Sequence, residues 1–157
     1  MQAFSTRCRV RGVMTRIGAA FLSEHSDKLV RKLTMRQARV IAEALFATAD
    51  GPPPASRMEW LGAELDDFLQ HIGPDSRNTF RAFLLAVAML APVLMRRLGP
   101  LGAMSISERI EALERIDKSW ASGALLAVKA SLCVLYYEHP EVAEEIGFDG
   151  RCLKVEQ

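Results

Sequence analysis

With 157 residues, half of them hydrophobic and a quarter charged, the chain is sized for one globular domain with a real core. A net charge of +1 leaves no basic excess of the kind that binds nucleic acid through phosphates. Cys8, Cys133 and Cys152 are odd in number and far apart, which argues against a disulfide framework and for a reducing compartment.

Residues 1–23 contain Arg7, Arg9, Arg11 and Arg16 and no acid. They read as a flexible or weakly docked basic arm ahead of a single helical domain, residues 24–157. The apolar stretch 17–22 is too short for a signal peptide, and no twin arginine precedes it.

The fold class expected is all-α, a bundle of about five to six helices, because no run alternates with period two. A first helix is expected from Thr34, which makes a capping box with Gln37. Its apolar face is Met35, Ala38, Ile41, Ala42, Leu45, Phe46 and Ala49. Asp50-Gly51 and the triplet Pro52-Pro53-Pro54 end it and form a stiff connector. A second helix, about 56–71, carries the stripe Met58, Leu61, Leu65, Phe68, Leu69 and Ile72. Asp75 is the expected N-cap of a third, about 76–97. From Ala82 to Met95 that helix has no charge and no hydrogen-bonding side chain. Fourteen such residues fall short of a membrane span of about twenty, so the helix is expected to be buried on all sides, with a kink at Pro92.

Ser105 and Glu108 form a capping box for a fourth helix, whose stripe is Ile106, Ile110, Leu113 and Ile116. A fifth, about 121–137, has Lys129 as its one charge. Pro140 stops it, biases His139 to extended backbone, and opens a short helix, 140–146, that Gly147 terminates. Two central apolar helices beside three amphipathic ones imply surplus apolar surface, covered in part by residues 17–33 and in part by a partner, against the alternative of a closed helical core with no partner.

Catalytic and cofactor motifs are missing. There is no glycine-rich dinucleotide fingerprint, P-loop, haem attachment or nucleophile elbow. Paired cysteines for zinc are absent, and His25, His71 and His139 are too scattered for a metal motif. Asp66-Asp67 and Glu144-Glu145 point about 100° apart on a helix and do not converge on a substrate. Trp60 and Trp120 read first as core anchors. The side-by-side pair Tyr136-Tyr137 closes the last apolar helix, and tyrosine suits a surface that another surface covers.

This layout resembles the gluconate 2-dehydrogenase subunit 3 family over roughly residues 34–150. The residues that carry the resemblance are Arg109, Leu113 and Ser119, then Tyr136-Tyr137, His139-Pro140, Val142 and Ile146-Gly147-Phe148. Ile116 departs from the Trp such proteins often carry there, and Gly123 and Ala124 replace basic residues. The resemblance implies a non-catalytic accessory subunit that stabilises, or assists the folding of, a large FAD-dependent dehydrogenase of the glucose–methanol–choline type. FAD would then sit in the partner, and this chain would hold no catalytic, cofactor-binding or metal-binding residue. The missing twin-arginine leader favours a cytoplasmic complex over a periplasmic one, without a membrane span. Trp120, Tyr136, Tyr137, His139, Pro140 and Phe148 are the expected partner interface. The competing account has the tyrosines and Phe148 lock the last helix onto its own bundle. A different functional reading is a stand-alone module that holds an apolar small molecule between the two apolar helices.

Overall fold

The computed structural model describes residues 27–148. The chain divides into two units after Leu33. Within the first unit, residues 27–33 are helical, with Leu29, Val30 and Leu33 exposed. The expectations for the arm 1–23, and for Cys8, His25 and Cys152, lie outside the described residues.

The unit that begins at Thr34 is all-helical among the described residues. Helical backbone (α1) runs unbroken over residues 27–45. Thr34 is therefore an interior, fully buried position and not the N-cap that its spacing to Gln37 suggests. The apolar spacing Leu29, Val30, Leu33 continues the 3.6-residue period upstream, so helix overrides the capping signal. Ala38, Ile41, Ala42 and Ala44 of α1 enter the core.

α2 (Ala55–His71) buries Met58, Leu61, Leu65 and Leu69, and α3 (Pro74–Leu94) starts with Gly73 at the N-cap. Asp75 lies in the first turn and is not the cap. Pro74 takes the first helical position, where its missing N–H costs nothing, and the Asp75 charge faces the positive end of the helix dipole. Pro92 lies in the last turn of α3. The helix stops at Leu94, earlier than expected, because Arg96 adopts a left-handed conformation, φ 54°. Arg96 N–H donates to Val93 O (3.0 Å) and Arg97 N–H to Pro92 O (2.9 Å). That is a Schellman closure with arginine where glycine is usual.

A 3₁₀ turn (Leu101–Ala103) leads to α4 (Ile106–Asp117). The Ser105–Glu108 capping box forms in both directions. Backbone and hydroxyl donation from Ser105, with Arg97 nearby, lowers the Glu108 pKa. α4 buries Ala112, Leu113 and Ile116. Arg109 is nearly enclosed and uses its whole fork: Nε donates to Met104 O (2.9 Å), Nη1 to Glu43 Oε2 (2.9 Å) and Nη2 to Gly102 O (3.0 Å). A Cβ on Gly102 would come within 3.3 Å of Val40 Cγ2, so glycine permits this approach of the turn to α1. Ser119 Oγ donates to Ile116 O (2.7 Å) and accepts from Ala121 N–H (3.1 Å), shaping the turn into α5.

α5 (Ser122–Tyr137) buries Leu125, Val128, Leu132, Leu135 and Tyr136. It packs on α2, α3 and α4. The short α6 (Pro140–Glu145) buries Val142. Leu65, Leu84, Val87, Ile116, Leu125, Val128 and Leu132 are almost wholly enclosed and form the middle of the core.

The two apolar helices are not buried on all sides. Each buries one stripe and presents an apolar stripe outward. On α3 the exposed positions are Ala82, Ala86, Met89 and Val93, Met89 at 72 % exposure. On α5 they are Gly123, Leu126, Ala130, Val134 and Tyr137. Among the described residues three amphipathic helices pack on the two central ones, and they leave these stripes open. By length and composition α3 is also apolar enough to cross a membrane, a test that core helices pass as well.

Candidate functional site

The α5 stripe is uniform. Gly123, Leu126, Ala130, Val134 and Tyr137 are spaced by three, four, four and three residues, which keeps them on one helical face. None carries a charge, and Val134 is 62 % exposed. Lys129, off this line, lies 3.7 Å from Asp117. Cys133, beside the stripe, is partly covered, and burial pushes its thiol pKa up. A raised pKa keeps it protonated and poorly nucleophilic.

Tyr137 ends this stripe at the rim of a cleft of about 600 Å³. Three pieces build most of the cleft, the last two neighbours in sequence and both distant from the first. The first is the turn after α1, where Thr48 and Gly51 exchange backbone hydrogen bonds of 2.9 and 3.1 Å. Gly51 has φ 118°, a conformation that suits glycine alone. Pro52, Pro53 and Pro54 then form one wall. The second piece is the end of α5, and the third is α6. His139 is extended, as the following proline requires. Gly147, φ 73°, closes α6: its N–H donates to Glu144 O (3.0 Å) and that of Phe148 to Ala143 O (2.8 Å).

Aromatic rings line one side. Phe46 stacks on Tyr136 with centroids 3.9 Å apart and planes 9° off parallel. Tyr137 stands edge-on to both, at 6.3 Å from Phe46 and 5.7 Å from Tyr136. Beside Tyr136, Arg57 clamps α6. Its Nη1 and Nη2 donate to the two Glu145 oxygens at 2.9 and 2.5 Å, and Nε donates to Glu141 at 3.4 Å. Glu145 foremost, then the Tyr136 side chain, raises the Arg57 pKa further. The same Arg57 pair lowers that of Glu145. The clamp links residues 88 apart in sequence and holds α6 against the start of α2.

The expected interface residues divide. Tyr136 and Tyr137 share the cleft. Tyr136 is a buried core residue, 7 % exposed, while Tyr137 is open at 45 %. His139 is half-buried with its ring edge-on to Trp60 at 4.8 Å, and its Nδ1 has no hydrogen-bond partner. Pro140 and Phe148 are exposed at the two ends of α6. Trp120 stands apart, before the start of α5, a helix about 24 Å long at 1.5 Å per residue. It is 89 % exposed, which corrects its reading as a core anchor. The turn Lys118–Ala121 projects it outward, while Ala121 fills the core beneath. Trp60 does pack against the core.

Arg57, Phe46, Leu126 and Val134 were not singled out by the sequence. The Arg57–Glu145 pair has no local signal. The outer α5 stripe did have one, namely the spacing complementary to the buried positions. Among the described residues no group of three or more His, Cys, Asp or Glu is placed to hold a metal ion. Arg109, Leu113 and Ser119, which carry the family resemblance, do fold-forming work in this structure. Comparison of the chain with protein-family models, curated proteins and solved structures returns no match.

Proposed function

We propose that this chain is a non-catalytic accessory subunit whose α5 stripe and adjoining aromatic cleft dock on a larger protein. The partner, by the resemblance described above, is an FAD-dependent dehydrogenase of the glucose–methanol–choline type, and the complex is cytoplasmic. The observation that carries this reading is the uncharged stripe from Gly123 to Tyr137, open along the length of α5. Contiguous exposed apolar surface of this kind marks an interaction face, and aromatic residues at its end supply the anchors that dominate docking energy. Arg57 and Lys129 near it are held in internal pairs with Glu145 and Asp117, and in this reading catalysis belongs to the partner.

The test is co-expression with the large reading frame adjacent to this one, followed by size exclusion read for protein and for flavin absorbance. Co-elution with a yellow species supports the reading. A colourless, monodisperse monomer that ignores its neighbour contradicts it.

The cleft supports a second reading. A volume of about 600 Å³ falls within the range of small-molecule sites. The apolar-ligand alternative would place its ligand there, between the proline wall and Tyr137. The structure fills the space between α3 and α5 with Leu84, Val87, Leu125 and Val128.

A further inference from the structure

We propose that the cleft between the Pro52–Pro54 wall and Tyr137 receives an extended segment of the partner protein that bears a lysine or arginine. The inference deepens the docking reading and rests on it for the source of the segment.

Charge is the first argument. Asp50 and Glu145 line the cleft, and Glu141 lies beside them on the same Arg57. On and beside the lining, three carboxylates thus stand against one guanidinium, two of them paired to it and Asp50 in no ion pair among the described residues, a balance of two negative charges in excess. The guanidinium is already committed, its fork divided between Glu145 and Glu141. Residues 138–145 add Glu138 and Glu144 and hold no lysine or arginine. An acidic or neutral segment would gain nothing from this field, whereas a cation is drawn to it.

The aromatic side supplies the second argument. Tyr137 offers an open ring next to the Phe46–Tyr136 stack, and a cation over such a face is attracted by the ring quadrupole. Ile146, also exposed on the lining, gives the methylene stem of a long basic side chain an apolar surface to lie on. The third argument is shape. The wall is three prolines and the opposite side an ion-paired helix, so the cleft is preformed and takes chain without reorganising.

The test uses the full-length chain, isotope-labelled, titrated with a blocked nonapeptide of alternating arginine and proline. Matched peptides carry glutamate or alanine in place of arginine. The expected result is shift changes at Asp50, Tyr137 and Ile146, an affinity that falls with added salt, and binding weakened about fivefold by Asp50→Lys or by Tyr137→Leu. Both side chains are exposed, so neither change threatens the fold. Equal binding of the alanine or glutamate peptide overturns the proposal, as do shifts that map elsewhere. So does N-acetylarginine amide binding as tightly as the nonapeptide, which would make this a small-molecule site, or self-association through the cleft. Failure of co-elution removes the partner reading without touching the titration. Co-elution with wild-type strength by Asp50→Lys, alongside a silent titration, removes this inference alone.

Discussion

The α4 side of the unit and the end of α5 solve opposite problems with the same kinds of residue. Around α4 the polar groups that shape the fold have internal destinations. Ser105 and Glu108 cap each other, and Arg109 divides its fork among Glu43, Met104 and Gly102. Ile116 and Leu113 close the core beneath. At the end of α5 Arg57 and Glu145 are likewise paired, but Tyr137, Val134 and Leu126 face outward. A helix can thus be as apolar as a core segment and still contribute only half its circumference to the fold. The difference separates residues that the fold encloses from residues that it leaves uncovered.

That separation is open to test. Leu125→Ala, in the enclosed middle of the core, should destabilise by about 3 kcal/mol in a urea melt. Arg109→Ala should cost about 2 kcal/mol, because it strands two carbonyls and leaves Glu43 with Arg39 as its one remaining arginine partner among the described residues. Ser105→Ala should cost about 1 kcal/mol through the lost cap. Arg96→Gly should move the other way, raising stability by up to about 1 kcal/mol, since glycine takes φ 54° without strain. Val134→Ser and Tyr137→Leu should change stability by no more than about 0.5 kcal/mol while abolishing co-elution with the partner. If instead they unfold the chain, the outer stripe belongs to the core and the comparison fails.

The smallest effect is electrostatic. Arg57 holds the Glu145 pKa below its ordinary 4.5. A lowered folded-state pKa stabilises the fold above the ordinary value, and that stabilisation is lost as pH falls through the lowered one. Wild type should therefore lose stability on acidification below pH 4.5 more steeply than Glu145→Gln. Equal slopes would mean that the clamp adds nothing to the fold, as exposed ion pairs often do not.

Much of the architecture was readable from local rules. The Ser105 box, the Pro140 start and Gly147 stop of α6, and the buried stripes of α2 and α4 follow from capping chemistry and a 3.6-residue period. Thr34 misled because a capping pattern inside a helix looks the same as one at its start. Arg96 ends α3 in a conformation that no residue preference announces. The site was half legible. Tyr136-Tyr137 drew the eye by composition, yet one is core and the other rim, a distinction set by their angle of about 100° on the helix. Phe46, Arg57 and the proline wall are brought to them by tertiary packing, which no local window contains. Trp120 was named for its size and lies at the far end of α5.

The most direct measurement is hydroxyl-radical footprinting of the purified complex against the free chain. The account predicts protection of Leu126, Val134 and Tyr137 on binding, with α4 unchanged. Equal labelling of these three residues in the free and bound states would contradict it.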